Sequence, residues 1–298
     1  MLRILYVLLS VLLGSVFIFS AITKLFPVEL FEISLVEGYV SNWGMAPFLA
    51  RFIIGVEFVL GVFLIANKYL NTKIIHLGIV LVIAFTIHLI ILYFLQGNNQ
   101  NCMCFGTFVS MTPLQSIVKN GVLLFGLFVL LYKHESLAYS VPVYIYIIAI
   151  FFLLLTPFAL RPFFISTVQR TSDFSGKPLN LNKIDTDYAL DTGKHIVGFM
   201  TLSCPHCEIA AYKMHVIKQQ NPDIPMFLFL NGDSLLLEQF FESTYATNIP
   251  YKLIDNPNFM YRIESKVPAI YFINNDTVVK KSAYTEMSEQ SINQWFDE

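Results

Sequence analysis

"HIVGFMTLSCPHCEIAAYKMHVIKQQ", His195 to Gln220, decides how the second half of the chain folds. "HIVGFMTLS" reads as a buried strand and "PHCEIAAYKMHVIKQQ" as a helix. Cys204 and Cys207 stand at the junction. A C-x-x-C pair after a strand and at the start of a helix is a strong redox signal. Cys204 falls at the expected N-cap and Pro205 at the first helical position, which tolerates proline. Unpaired N–H groups and the helix macrodipole stabilise a thiolate there. Cys204 is therefore expected to have a lowered pKa and to act as nucleophile and leaving group. Cys207, one turn on, is shielded and resolves mixed disulfides. His206, if charged, favours the thiolate further. A structural disulfide and half of a metal site are the alternatives. No second cysteine pair lies in this half to complete a zinc site, so no metal is expected.

Downstream, "IPMFLFLNG" reads as a second strand and "DSLLLEQFFESTYA" as a second helix. "PAIYFI", "NND" and "TVVKKS" read as a hairpin. "SEQSINQWF" reads as a terminal helix capped by Ser288. The order strand–helix–strand–helix–strand–strand–helix predicts an α/β sandwich over 195–298. This half resembles the thioredoxin superfamily, and "CPHC" resembles the active site of the DsbA-type oxidants. The resemblance implies a cis-proline at Pro268 in "KVPAIYF", beside the active site, with the Val267 backbone pairing with an incoming peptide. Leu202-Ser203 stands where an aromatic residue is common before the first cysteine.

The first half differs in composition. The chain has 298 residues and is 55% hydrophobic, yet 1–160 holds only 12 of its 40 charged residues. Apolar runs near 2–23, 47–66, 72–95, 113–132 and 139–160 are each long enough to span a bilayer. The first could instead be a cleaved signal peptide. Its apolar run exceeds the usual length, and Lys24 follows without a small-residue cleavage site. Between the first two runs, "PVELFEISLVEGYVSNWGM" predicts a short interfacial helix from Pro27, with Trp43 at headgroup level. "TPFALRPFF" predicts that two prolines stop the fifth span. Residues 165–194 are polar and read as a linker plus an edge element. The net charge of -2 gives no reason to expect a nucleic-acid partner.

Basic residues favour the cytoplasmic side. Lys68, Lys73 and Lys133 therefore put the N-terminus inside a cytoplasmic (inner) membrane. The loop "NCMCFG" and everything after the fifth span then face the periplasmic side. Two spans separate the cysteine pairs, so both lie on one side under either orientation. C-x-C closes a very small disulfide ring, which should be strained and easily reduced. Cys102 and Cys104 are read as redox-active, with a structural bridge or metal binding as alternatives. Glu57, His88 and Lys119 lie within the outer halves of spans two to four. They are read as a polar pocket where an acceptor such as a quinone is protonated. The alternative is that Lys119 snorkels outward and Glu57 pairs with Arg51 or Lys119. His76 is read as interfacial.

"SAITKLF", "GY", "RFIIGVEFVLGVFLI" and "NCMCFG" resemble the MauE/DoxX-like four-helix membrane family over about 1–132. That resemblance implies a part in making or maintaining disulfides in exported proteins. By architecture the bundle also resembles the quinone-linked vitamin K epoxide reductase bundle. The expected organisation is an all-α transmembrane bundle (1–135), a fifth tethering helix (136–164), a linker (165–194) and a thioredoxin-like domain (195–298). The expected function is thiol–disulfide exchange with exported proteins by Cys204 and Cys207, which Cys102 and Cys104 reoxidise. A reductant relay in the other direction and a non-enzymatic assembly factor are the rivals.

Overall fold

The apolar runs become five helices of spanning length. The computed structural model describes residues 2–68, 72–98, 102, 109–133, 142–162, 188–254 and 266–297. The chain divides into two units, Met1–Phe163 and Phe164–Glu298. In the first, α1 (Leu2–Leu25), α2 (Val28–Glu37), α3 (Ala46–Ile65), α4 (Lys73–Gln96), α5 (Pro113–Lys133) and α6 (Val143–Leu160) follow in order. All but α2 are long and apolar enough to cross a bilayer, which makes this a multi-pass membrane protein.

α1 packs along α3, and α4 along α5. The α1–α3 crossing is made by two glycines. A Cβ on Gly14 would stand 2.7 Å from the Gly61 carbonyl oxygen, and one on Gly61 would stand 2.4 Å from Ile18 Cγ1. Small residues let membrane helices approach this closely, where packing rather than water drives association. α6 rests on α3 through a stripe that includes Tyr146, Ile150, Leu153 and Leu154, and its opposite side is exposed. Pro157 does not stop α6. The helix runs on to Leu160, and the Arg161 N–H donates to the Pro157 carbonyl at 3.0 Å. One missing backbone donor is tolerated where neighbouring groups re-satisfy the turn.

The expected interfacial helix is instead packed inside the bundle. Every residue of α2 except Glu29 and Glu32 is buried, and the helix lies against α3. Glu29 and Glu32, three residues apart, share the one side of the helix that is not buried. Glu32 pairs with buried Arg51 at 2.6 Å. Two apolar clusters result. One gathers Leu13, Phe17, Leu60, Phe63, Ile75 and Leu127, and the other gathers Ala21, Leu25, Phe31, Leu35 and Ile54. Ser20 and Glu57 fall between them in both α1 and α3, so a polar layer separates the two.

The second unit contains β1 (Lys194–Thr201), α7 (Pro205–Gln220), β2 (Met226–Asn231), α8 (Leu237–Thr244), β3 (Tyr251–Ile254), β4 (Ala269–Asn274), β5 (Thr277–Ser282) and α9 (Glu289–Asp297). The sheet order is β3-β2-β1-β4-β5. β2 is parallel to β1 and β3, while β4 is antiparallel to β1 and β5. The sequence reading missed β3, which is four residues long and too short to show a period. Asn275 and Asp276 turn the hairpin with φ of 49° and 60°. Ser288 caps α9 reciprocally: the Ser291 N–H donates to Ser288 Oγ at 3.1 Å, and the Ser288 N–H to Ser291 Oγ at 3.0 Å. Val197, Phe199, Phe227, Phe229 and Tyr271 fill one side of the sheet. A central β1 followed by α7, parallel partners on one side and an antiparallel hairpin on the other is the thioredoxin-like arrangement.

Candidate active site

β1 carries the chain to the cysteine pair. The Leu202 N–H donates to the Asn231 carbonyl at 2.9 Å, which ties the end of β1 to β2. Cys204 is the N-cap of α7, with extended φ and ψ of -99° and 114°, and Pro205 is in the first turn. The Cys204 carbonyl accepts from the Cys207 and Glu208 N–H groups at 2.9 and 3.1 Å. This first turn sets the two sulfurs on one side of the helix start.

The two thiols differ in surroundings. Cys204 is partly exposed and Cys207 is fully buried, and the pair is in the dithiol form. Burial pushes the Cys207 thiol well above the ordinary range, and a hydrogen bond with Cys204 adds to this. The Thr201 N–H, 3.5 Å from Cys207 Sγ, opposes the shift. Cys207 therefore stays protonated at neutral pH while Cys204 meets solvent. Burial also raises the Glu208 carboxyl above its usual value. His206 is exposed, and its Nδ1 lies 3.2 Å from the Tyr284 hydroxyl. Tyr284 comes from the loop after β5, and the sequence reading had no signal for it.

The peptide between Val267 and Pro268 is cis. Ala269 pairs with Phe199 in the β1–β4 register. Pro268, one step further, is thus at the sheet end where β1 runs into the cysteine turn.

In the membrane unit, Cys102 is described and Cys104 lies outside the described residues. Cys102 is 5% exposed and packs on Leu89 of α4. Its N–H donates to the Met111 carbonyl at 3.0 Å, and its Sγ lies 2.9 Å from Ser116 Oγ.

Glu57, His88, Lys119 and Cys102 line one cavity of about 30 Å³, together with Ser20, Lys24 and Asn120. The three ionisable residues singled out from sequence thus share a site. Glu57 has Lys24 as an ion-pair partner. Its Oε1 accepts from Lys24 Nζ at 2.5 Å and from Ser20 Oγ at 3.2 Å. Lys24 was read only as following span one. It is inside α1, 3% exposed, with Nζ 4.3 Å from the Phe85 ring centroid and 5.2 Å from that of Phe31. Its i,i+4 spacing from Ser20 was the available signal. His88 Nε2 lies 3.3 Å from Ser34 Oγ. Among the described residues, Glu57 Oε2 and His88 Nδ1 are buried without a hydrogen-bond partner. His76 is exposed, with Nδ1 2.9 Å from the Thr72 carbonyl. No cluster of potential metal ligands occurs among the described residues.

Residues 2–133 match the family described as methylamine utilisation protein MauE. The chain is 27% identical to Protein TlpB of Flavobacterium psychrophilum, over 91% of this chain and 89% of that one. The crystal structure of a secreted Mycobacterium tuberculosis disulfide oxidoreductase, homologous to E. coli DsbE, is 16% identical. It overlaps 35% of this chain and 81% of its own, with a TM-score of 0.30. A segment similar to MauE, residues 2–133, therefore precedes an α/β domain with the thioredoxin-like sheet order in one multi-pass membrane chain.

Proposed function

We propose that this chain is a membrane-bound thiol–disulfide oxidoreductase that oxidises thiols of exported proteins. The observation that carries the reading is the asymmetry of the C-x-x-C pair: Cys204 partly exposed at a helix N-terminus, Cys207 buried and held protonated. Cys204 takes the mixed disulfide, and Cys207 resolves it. Each cycle moves two electrons and two protons from a substrate dithiol to the Cys204–Cys207 disulfide. The Cys102–Cys104 disulfide takes them next, and an acceptor in the bundle takes them last.

Cys204 and Cys207 act as the exchange pair, His206 as the charge that favours the Cys204 thiolate, and Pro268 as the edge against which a peptide lies. Glu57, His88 and Lys119 handle protons at the acceptor. The working parts are the bundle 1–135, the tether 136–164, the linker 165–194 and the exchange domain 195–298. Loop lysines favour a periplasmic position for both cysteine pairs. One chain carrying both raises the effective concentration of each for the other.

Trapping thiols by alkylation in cells tests the relay. Cys204 and Cys207 should accumulate reduced in Cys102→Ser relative to wild type. If they remain oxidised, the relay fails, and a shift to the oxidised form favours the reductant direction. No cysteine lies within the spans to carry electrons from the cytoplasm, which favours the oxidase direction.

A further inference from the structure

Cys102 is enclosed by Leu89 of α4 and by Met111 and Ile117, and it is a free thiol. Its N–H is tied to the Met111 carbonyl, so the backbone holds the side chain inward. Exchange begins when a thiolate reaches one sulfur of a disulfide, and access decides which sulfur is attacked. At 5% exposed, Cys102 is shut off from an incoming thiolate.

The same sulfur is well placed to leave. Cys102 Sγ lies 2.9 Å from Ser116 Oγ, in the first turn of α5, and Ser116 is fully buried. A hydroxyl donating to a thiolate makes a stronger bond than one between neutral groups. Side chains fix this turn. The Gln115 N–H donates to Thr112 Oγ1 at 3.3 Å, and the Thr112 N–H to Gln115 Oε1 at 3.0 Å. The Leu114 N–H donates to Asn98 Oδ1 at 3.1 Å, and the Ser116 N–H to the Thr112 carbonyl at 3.1 Å. The backbone donors of residues 114–116 are thus engaged, and the Ser116 hydroxyl is a donor held against the sulfur. The positive end of the α5 dipole acts in the same sense.

We propose that Cys204 attacks Cys104 and that Cys102 is the leaving sulfur, its thiolate stabilised by the Ser116 hydroxyl. The proposal rests on the relay reading and sets the order of its bonds. The Cys204 thiolate bonds to Cys104 Sγ as the Cys102–Cys104 bond breaks, and the electron pair of that bond stays on Cys102. Cys207 then loses its proton and bonds to Cys204 Sγ, and Cys104 leaves as the second thiolate. Cys204 and Cys207 give up two protons, and Cys102 and Cys104 take up two. One dithiol is oxidised and one disulfide is reduced. A better-stabilised leaving thiolate departs faster.

The first test uses full-length protein in nanodiscs, treated with the thiol oxidant diamide, with disulfides mapped by mass spectrometry. Cys102→Ser/Cys207→Ser should join Cys204 to Cys104, and Cys104→Ser/Cys207→Ser should leave Cys204 and Cys102 unjoined. Joining to Cys102 in the second variant, alone or as well, overturns the order of attack while the relay stands. Joining in neither overturns the relay, and the proposal with it. The second test reads Ser116 in a Cys204→Ser/Cys207→Ser background, where only the C-x-C pair reports. Reduction of that pair by dithiothreitol should be about tenfold slower in Ser116→Ala and near the parent rate in Ser116→Thr, which keeps the hydroxyl. An unchanged rate in Ser116→Ala overturns the role of the hydroxyl. So does Ser116→Thr as slow as Ser116→Ala, which would mark packing.

Discussion

Lys24 Nζ and Glu57 Oε1 lie 2.5 Å apart in the middle of the membrane unit, both side chains under 5% exposed. Charges at this depth are costly unless paired. Each partner therefore makes the other tolerable, and the two phenyl rings of Phe85 and Phe31 share the load on Lys24. Removing one charge should be worse than removing both. Lys24→Met or Glu57→Leu alone should cost about 3–5 kcal/mol by stranding the remaining ion. The double variant Lys24→Met/Glu57→Leu should recover most of that. Melting in detergent, read as a double-mutant cycle, checks this, and additive losses would show the pair is not coupled.

The Cys207 thiol is pushed up mainly by burial. Alkylation of the reduced protein near pH 7 should therefore label Cys204 and spare Cys207, as peptide mapping would read. The same shift makes the reduced form pH-sensitive. A group with a raised folded pKa binds its proton more tightly when folded. Its contribution is intact below the ordinary cysteine value of 9.0 and is lost as pH rises above it. The reduced exchange domain should thus lose melting temperature from about pH 9 upward, more steeply than the oxidised one, whose sulfurs do not titrate. Parallel curves would contradict the burial argument.

His206 Nδ1 meets the Tyr284 hydroxyl beside the exposed thiol. In the proposed mechanism a charge on His206 favours the reduced pair and makes the disulfide more oxidising. His206→Ala should lower the equilibrium constant against glutathione by about tenfold, or about 30 mV for this two-electron couple. Tyr284→Phe should shift it by less. A rise in oxidising power in His206→Ala would reverse the assigned role.

Much of the thioredoxin-like unit was legible because its signals are local. The C-x-x-C junction, the Asn-Asp turn and the Ser288 cap each depend on a few adjacent residues. β3 was not, because four residues of "YKLI" carry no period and their pairing with Leu228–Asn231 is set from a distance. In the membrane unit the spans were legible from hydropathy, and Glu57, His88 and Lys119 were legible as costly residues in lipid. Lys24 was not, because it lies near the end of the first apolar run, where a lysine ordinarily reaches the headgroups. The inward packing of α2 was also hidden. Its glutamates suggest a wet face, whereas Glu32 pairs with the buried Arg51 of α3.

The α1–α3 crossing gives the sharpest packing test, since it sets a crowded glycine against an open one in the same bundle. A Cβ on Gly61 would meet Ile18 Cγ1 at 2.4 Å and the Gly14 carbonyl at 2.8 Å, while one on Gly121 would meet nothing within 4 Å. The first contact involves a side chain that can rotate, but the second is backbone and cannot yield without moving the helix. Gly61→Ala should therefore destabilise the bundle by about 1–3 kcal/mol, the usual cost of overpacking. Gly121→Ala should be neutral or slightly stabilising, since alanine is the better helix former. Separation of α1 from α3 would also pull Ser20 and Lys24 away from Glu57. Equal melting temperatures for the two variants would show that the helices are not held this closely.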